Sequence, residues 1–387
     1  MFHIARILGL RFLIVLFCLL LLSTAEEEDT EMVVDTGKEG ELREEGQIWE
    51  WENAFIRIFV NIGAEETGRF AVDTTGGDPQ RPEDDNQPLI YGHPFPWTSY
   101  TTIRINGQNY AFGGQTRRRA GKFAQYGKMI QAPMLTPEGR HTTVFAYPGT
   151  PGGEADILVT QSLKPVLGFS TQVADTLLIQ YEIENRSEYP VEVGIRIVLD
   201  TMLGSNDGAP LRAGPFAIET EKCFHGPEVP DFIQAFDSLA EAKVISQATL
   251  RAEGLTPPDL VYIANWGRLA DEPWEPACRD GFSLVREGED ELDSALGLYW
   301  QPVKLLPHEV RIIRTMYGLG GITIAYEGLL LGLSAPLTQR YKPKGINAFT
   351  IMGYVENVSP IPVRLEKMQL GLPAGLALLE GDSEGAL

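Results

Sequence analysis

The sequence predicts a mainly β protein in which antiparallel sheets stack face to face. Its 387 residues include 40 glycines and 26 prolines, two residue types that helix interiors tolerate poorly. From about residue 50 onward, apolar side chains recur at every second position, as half-buried strands require. Strand and helix patterns do not alternate regularly along the chain, so a parallel α/β sheet is disfavoured.

The clearest strand patterns come early in the chain. In residues 56–62 the even positions are all β-branched and share one face. Residues 101–112 contain Asn106 and Gly107 between two alternating segments. Because both residues accept a positive φ, this pair predicts a two-residue hairpin turn.

Longer patterns follow. Residues 177–183 and 191–199 each place apolar side chains at the odd positions, and the short polar segment between them predicts an antiparallel hairpin. A short helix is predicted over residues 231–239, where Phe232, Phe236 and Leu239 would share one face. Further strands are predicted at residues 243–250, 260–266, 295–300 and 310–317.

The charge of the chain excludes one class of partner. The formal net charge is -21, from 53 acidic and 32 basic residues. Such an acidic protein repels phosphate backbones, so no nucleic-acid partner is expected.

The first 25 residues predict a secretory signal peptide. Arg6 and Arg11 supply the positive start, residues 12–22 are an unbroken apolar run, and residues 23–25 are small. The alternative is an uncleaved N-terminal anchor. No other apolar stretch is long enough to span a membrane. We therefore expect a secreted, periplasmic or cell-surface protein.

Residues 26–50 predict a solvated, disordered leader, because they hold eleven acidic residues against two basic ones. The mature chain keeps two cysteines, Cys223 and Cys278. In an oxidising compartment these two could form one disulfide. The alternative is a pair of separate buried thiols.

Residues 51–320 resemble the galactose-mutarotase-like β-supersandwich domains. The resemblance rests on residues 181–185, followed by residues 193–196 with Asp200 and Thr201, and on residues 293–300. It covers about 270 residues loosely and implies a large antiparallel β-supersandwich. That fold hosts sugar epimerases, carbohydrate lyases and non-catalytic domains, so it does not by itself give a function. The resemblance also implies that an epimerase would use a histidine acid with a glutamate base, but no histidine here stands in a matching motif.

Residues 321–387 resemble the bacterial immunoglobulin-like modules of surface proteins. The resemblance rests on Asn357 and on residues 372–376 and implies a small or incomplete immunoglobulin-like β domain. An incomplete sandwich would expose a sheet edge, which could pair with a protein partner.

Two histidines and two tryptophans are candidate ligand-binding residues. His93 and Trp97 lie in a proline-rich aromatic loop at residues 91–97, and His141 follows Arg140. Trp97 and Trp274 both lie in proline-rich loops, where an exposed ring would suit contact with a sugar. The alternative for each histidine is an ordinary loop or surface role.

Residues 113–141 reverse the general charge. Six basic residues face only Glu138 there. Such a patch could bind uronate, sulfate or phosphate groups through arginine forks, or it could neutralise acidic surface of the protein itself. The residues that we take as ligand-binding candidates are Arg117, Arg118, Arg119 and Arg140.

Residues 200–208 leave a predicted strand and turn through Asn206, Asp207 and Gly208. Asp200, Asn206 and Asp207 offer the hard oxygen ligands that Ca²⁺ prefers, although their spacing does not match an EF-hand loop. One alternative is a strand end followed by a tight turn. Another is a loop that hydrogen-bonds sugar hydroxyls through Asn206 and Asp207. No cofactor besides this candidate Ca²⁺ is predicted.

Three functional hypotheses follow. The first is an exported, non-catalytic envelope or extracellular protein that binds carbohydrate or another cell-surface component. The second is a sugar-active enzyme of the epimerase or polysaccharide-lyase type, using a histidine and a carboxylate as acid and base. The third is a scaffold that assembles through the C-terminal β domain. Motifs of P-loop proteins, serine hydrolases and HExxH metalloproteases are missing.

Overall fold

The computed structural model describes residues 48–321 with short gaps, together with seven short strands outside that range. The gaps are residues 120, 122–123, 169–170, 172, 214–215, 240–241, 275–276 and 289. The strands before the helix are β1 (Ile14–Val15), β2 (Leu42–Arg43), β3 (Ile48–Glu52), β4 (Ile56–Asn61), β5 (Phe70–Thr74), β6 (Tyr100–Ile105), β7 (Gln108–Ala111), β8 (Gln125–Tyr126), β9 (Lys128–Leu135), β10 (His141–Tyr147), β11 (Ile157–Val166), β12 (Thr176–Asn185), β13 (Val191–Thr201), β14 (Leu211–Ala213), β15 (Phe216–Ile218), β16 (Lys222–His225), β17 (Phe232–Phe236), β18 (Ile245–Thr249) and β19 (Leu260–Ala264). The helix α1 (Trp266–Asp271) is followed by β20 (Ser294–Leu305), β21 (Val310–Leu319), β22 (Thr323–Tyr326), β23 (Leu329–Ser334), β24 (Met352–Asn357), β25 (Met368–Gly371) and β26 (Glu384–Gly385). Two 3-10 turns lie at Pro82–Asp84 and Gly226–Glu228.

Two large sheets dominate the structure. The nine-stranded sheet has the order β15-β14-β17-β18-β21-β12-β11-β10-β9, and the seven-stranded sheet has the order β16-β19-β20-β13-β6-β7-β8. Every pairing in them is antiparallel except β7 with β8. A four-stranded sheet, β2-β3-β4-β5, carries the first segments of the described core. The predicted mainly-β class with large antiparallel sheets is confirmed.

The core lies between the two large sheets. Ile179 and Tyr181 of β12 belong to the same buried cluster as Ile195 and Ile197 of β13, although the two strands lie in different sheets. The Tyr181 hydroxyl also lies 2.7 Å from the Thr101 hydroxyl, across the same interface. Because strand side chains alternate, the even-numbered residues of β11 and β12 point to the opposite, outer face of the nine-stranded sheet.

The predicted turn at Asn106 and Gly107 is confirmed. It joins β6 and β7 in register, with φ angles of 47° at Asn106 and 83° at Gly107. The predicted hairpin between residues 177–183 and 191–199 is wrong. Both segments are strands, but β12 pairs with β11 and β21, whereas β13 pairs with β6 and β20. The polar segment between them crosses from one sheet to the other, so their apolar faces meet across the core.

The helix predicted over residues 231–239 is also wrong. Residues 232–236 form β17, which pairs with β14 and β18 inside the nine-stranded sheet. All five residues of this strand are buried. A strand covered on both faces lacks alternation, so periodicity cannot separate it from a helical segment. The α-helix of the described residues is α1, with Asn265 accepting from the Arg268 amide as its N-cap.

The predicted segments at the two ends of the chain lie largely outside the described residues. The predicted signal peptide is described only at Ile14–Val15. Within residues 26–50 the predicted leader overlaps β2 and the start of β3, and the buried part of β3 begins at Ile48. The predicted immunoglobulin-like unit is described only as strands, with β22-β23-β24 forming one antiparallel sheet. Its predicted partner-binding edge therefore stays a prediction.

No helix among the described residues is long and apolar enough to cross a membrane. Cys223 and Cys278 are joined by a disulfide, with their Cα atoms 6.3 Å apart.

Candidate functional site

The loop at residues 91–97 positions a histidine over a buried aspartate. Asp73 lies near the end of β5, in the four-stranded sheet, and is 4% exposed. The Nδ1 atom of His93 lies 2.7 Å from Oδ2 of Asp73, while the histidine side chain stays 49% exposed. The ring of Phe59 meets the imidazole edge to face at 4.8 Å. These contacts fix the ring and leave its other face toward solvent.

Each partner changes the acidity of the other. The hydrogen bond that His93 donates to Asp73 raises the pKa of His93 above its ordinary value, against a smaller lowering by burial. Burial raises the pKa of Asp73, and the hydrogen bond from His93 opposes that rise. An exposed imidazole that is oriented through Nδ1 can give or take a proton at Nε2. The pair therefore has the parts of a general acid or base.

Trp97 lies in the same loop as His93 and is partly buried. The guanidinium of Arg118 sits 4.9 Å from its ring centroid, and the Trp266 ring meets it edge to face at 5.4 Å. Arg118 also forms an ion pair with Glu66 at 3.2 Å. His93, Trp97 and Arg118 are thus the predicted ligand residues that the structure gathers around one loop.

The predicted basic patch is divided. Arg117 is exposed, and Arg119 forms an ion pair with Asp271 at 3.2 Å. Arg140 instead lines a cavity of about 320 Å³ that includes neither of them. The lining residues of this cavity are Arg140, Ser162, Lys164, Val166, Leu178, Gln180, Glu253, Gly254, Leu255, Arg314 and Met316. We call this cavity the outer-face groove, because its strand residues are the outward-pointing ones of β11, β12 and β21.

Two predicted ligand residues point into the protein instead. His141 is 1% exposed, and its ring lies 4.6 Å from that of Trp49. Burial lowers its pKa to about 4, so the ring is neutral at ordinary pH. Trp274, expected to be exposed, is 5% exposed and packs against Tyr299. His141 and Trp274 therefore lie in the core, and the predicted exposure of the Trp274 ring is wrong.

The residues that could bind calcium differ from the predicted set. Carboxylate oxygens of Asp200, Asp207 and Asp293 all lie within 4.8 Å of one another. Asn206 does not join them, because its side-chain amide donates to the Asp237 carbonyl at 2.8 Å. Asp293 takes the third place, so the predicted set of Asp200, Asn206 and Asp207 needs this correction. We call these three residues the aspartate cluster.

Burial and nearby negative charges raise the pKa values of Asp200 and Asp207. Burial raises the pKa of Asp200 well above its ordinary value, and the charges of Asp293 and Asp207 add to the rise. Burial, with a further contribution from Glu291, raises the pKa of Asp207 to about 6.

Several residues of these sites were not predicted from sequence. Asp73 lies in a β-strand with no local motif around it. Asp293 belongs to an acidic run that is typical of a solvated loop. Lys164 and Arg314 were not singled out, although the period-two pattern places both on the outward face of their strands. That alternation was the one available signal for them.

Comparisons with known proteins give a loose likeness in fold. No protein-family model matches this chain, and no curated protein matches it. A candidate aldose 1-epimerase from Escherichia coli K12 is 10% identical, with a TM-score of 0.40 over 70% of this chain and 98% of that one. A galactose mutarotase related enzyme from Lactobacillus acidophilus is 8% identical, with a TM-score of 0.36 over 70% of this chain and 97% of that one.

A third similar structure is longer. It is a heparan sulfate lyase mutant from Pedobacter heparinus, 7% identical, with a TM-score of 0.32 over 82% of this chain and 42% of that one. We transfer no residue role or activity from any of the three. The three structures named here are thus a candidate aldose 1-epimerase, a galactose mutarotase related enzyme and a heparan sulfate lyase.

Proposed function

We propose that this protein binds an acidic carbohydrate in the outer-face groove. The observation that carries the proposal is the convergence of three basic side chains, Arg140, Lys164 and Arg314, on one cavity of a protein whose net charge is -21. Glu253 is the acidic residue among the lining side chains. A cationic cavity on an acidic protein attracts an anionic ligand more strongly than the rest of the protein surface does.

The groove is built from adjacent rows of strand residues. Ser162, Gln180 and Arg314 are register partners across β11, β12 and β21. The Arg314 Nε atom donates to the Gln180 side-chain oxygen at 2.7 Å. Its two terminal nitrogens make no hydrogen bond within the described part of the chain. They can therefore pair with a carboxylate or sulfate, which the planar guanidinium matches geometrically.

The next row of register partners in the groove supplies apolar surface. Lys164 pairs with Leu178, and Leu178 pairs in turn with Met316. Ligand sites combine an apolar lining with a few placed polar groups. A uronate or a sulfated sugar offers both a charged group for the basic residues and C–H faces for this row.

We further propose that the protein acts outside the cytoplasm. The signal-like pattern of residues 1–25 supports this proposal, as does the disulfide between Cys223 and Cys278, because disulfides persist in oxidising compartments. N-terminal sequencing of the protein recovered from its natural host tests it. A mature chain that still begins at Met1 would contradict export with cleavage.

The binding proposal is tested by calorimetry on the full chain with three probes: a polygalacturonate oligosaccharide, a heparin oligosaccharide and a neutral glucan. We expect at least one acidic probe to bind and the glucan not to bind. Lys164→Gln should weaken that binding about tenfold, since a charge-assisted hydrogen bond contributes roughly 1.5–3 kcal/mol.

Lys304→Gln is the matched control, because Lys304 is an exposed strand lysine outside the groove. The affinity of Lys304→Gln for the acidic probe should equal that of the wild type. If Lys164→Gln and Lys304→Gln lose affinity equally, the loss reflects the net charge of the protein and not the groove. If neither acidic probe binds the wild type, the proposal is rejected.

A second candidate function is acid–base chemistry on a sugar, favoured by the geometry of His93 and Asp73. The exposed imidazole is the proton-transferring group and Asp73 orients it. The test follows aldose mutarotation by polarimetry and uronate elimination by ultraviolet absorbance. If His93→Gln abolishes a measured rate that His225→Gln leaves intact, the pair is catalytic. If the wild type shows neither rate, this candidate is rejected.

A further inference from the structure

We propose that Asp200, Asp207 and Asp293 bind a single divalent cation, with Ca²⁺ preferred. This site is separate from the groove and does not depend on the proposed carbohydrate binding.

The backbone holds the three residues of the aspartate cluster in place. Asp200 is the penultimate residue of β13, and Asp293 directly precedes β20. These strands pair, with Thr201 opposite Ser294. The Ser294 amide donates to the Asp207 carbonyl at 3.0 Å, which ties the intervening turn to both strands. The three carboxylates therefore converge because the main chain brings them together.

A buried atom without a partner points to a ligand. Asp200 is 3% exposed, and its carboxylate is directed at the other two. The Oδ1 atom of Asp200 is buried and has no hydrogen-bond partner within the described residues, and the same is true of Oδ1 of Asp207. Burying a carboxylate oxygen with no partner is costly, and native structures pair the large majority of buried side-chain polar atoms. A bound cation would satisfy both oxygens at once.

No basic side chain among the described residues neutralises the carboxylates of Asp200 and Asp207. None of the described lysines or arginines forms an ion pair with Asp200 or Asp207. Burial of Asp200, together with the charges of Asp293 and Asp207, raises the pKa of Asp200 well above its ordinary value. A bound cation would offset the repulsion among the three carboxylates.

The size and chemistry of the cluster fit a hard cation. Ca²⁺ binds oxygen at about 2.3–2.6 Å, so two ligands of one ion can be at most about 5 Å apart. The cluster oxygens lie within 4.8 Å of one another. Its donors are oxygen atoms from carboxylates, with no histidine or cysteine, which suits Ca²⁺ and Mg²⁺ rather than Zn²⁺. Asp207 and Asp293 are partly exposed, which leaves the ion an entry path and room for water ligands.

Mg²⁺ is the closest rival. It requires near-ideal octahedral geometry at about 2.0–2.1 Å and keeps several waters. Three carboxylates on separate segments, one of them buried, suit the longer and more adaptable coordination of Ca²⁺ better.

The experiment uses the full chain, stripped with EDTA and dialysed, then titrated with CaCl₂ or MgCl₂ by calorimetry and followed by thermal unfolding. We expect one Ca²⁺ per chain, a rise in the melting temperature with Ca²⁺, and weaker binding of Mg²⁺. Asp207→Asn should lower Ca²⁺ affinity at least about tenfold, since affinity follows the number of charged ligands. In EDTA the melting temperature of Asp207→Asn should equal or exceed that of the wild type, because the substitution removes one of the mutually repelling negative charges.

Asp290→Asn is the matched control, since Asp290 is an exposed acid in the segment before Asp293 and lies outside the cluster. It should bind Ca²⁺ like the wild type. If Asp207→Asn does not fold, Asp293→Asn takes its place with the same expectation. No binding of Ca²⁺ by the folded wild type, tighter binding of Mg²⁺, or equal losses in the cluster and control variants would each overturn the proposal.

Discussion

The carboxylate of Glu221, which is completely buried, forms ion pairs with Arg268 and with Arg279, the latter at 2.8 Å. The Tyr262 hydroxyl donates to the same carboxylate at 2.6 Å. Breaking a buried pair by removing one charge leaves the other uncompensated and costs about 3–5 kcal/mol. The arginines left behind are 16% and 40% exposed, so solvent screens part of this cost. We therefore expect Glu221→Gln to lower the free energy of unfolding by about 3 kcal/mol, the lower end of that range, measured by urea denaturation.

A neighbouring surface pair provides the comparison. Lys222 and Asp280 lie 2.7 Å apart with side chains 43% and 48% exposed. Exposed pairs contribute at most about 1 kcal/mol, so Lys222→Gln should have a small effect. Similar losses for Glu221→Gln and Lys222→Gln would show that burial does not set the strength of the Glu221 network.

Arg196 is a fully buried arginine whose partners are mostly main-chain carbonyls. Its guanidinium donates to Leu269 at 2.7 Å and Glu272 at 2.5 Å, and also to Trp274. Arg196→Met would remove the donor of the Glu272 carbonyl, whereas the Leu269 and Trp274 carbonyls would keep the Tyr100 and Tyr299 hydroxyls. An unsatisfied buried acceptor costs about 1–3 kcal/mol. We expect a loss of that size in unfolding free energy, against almost none for the exposed Arg117→Met.

His93 should make stability fall as pH rises. Its folded pKa is raised above the unfolded value of 6.5 by its bond to Asp73. The stabilisation is therefore complete below pH 6.5 and is lost as pH rises through the folded pKa. In thermal melts, the difference between the wild type and His93→Gln should be largest below pH 6.5 and should shrink as the pH rises above it. A difference that grows with pH would contradict the assigned bond.

His141 should act in the opposite direction. Its folded pKa is lowered by burial to about 4, below the ordinary 6.5. Its neutral form is stabilised, so this contribution is present above pH 6.5 and is lost as pH falls toward 4. The loss amounts to about 3 kcal/mol by the linkage relation. His141→Phe should be less sensitive to acid than the wild type when unfolding free energy is measured across that range.

The strands could be predicted from sequence more securely than their pairing. Alternation located β12 and β13 well, because in both segments the apolar side chains recur at the odd positions. It could not show that they belong to different sheets, since a short polar connection suits a hairpin and a crossing between stacked sheets equally well. Phe232 and Phe236 were assigned to a helix because β17 is buried on both faces and has no alternation to reveal it.

The candidate sites could be predicted only in part. His93 and Asp200 attracted notice through their local sequences. Their partners, Asp73 and Asp293, come from distant segments, so their proximity depends on the fold. His141 was predicted to bind a ligand because a histidine beside an arginine suggests a surface site. Its position in β10 instead directs the side chain into the core.

The position of β21 in the nine-stranded sheet has a consequence for synthesis of the protein. This strand lies between β18 and β12 and pairs with both. Until residues 310–319 have left the ribosome, the nascent chain carries two unjoined half-sheets whose facing edges are open to wrong partners. Completion of the domain must then wait for a segment that is more than a hundred residues from β12 in sequence, which makes a slow, late-closing folding reaction the expected behaviour.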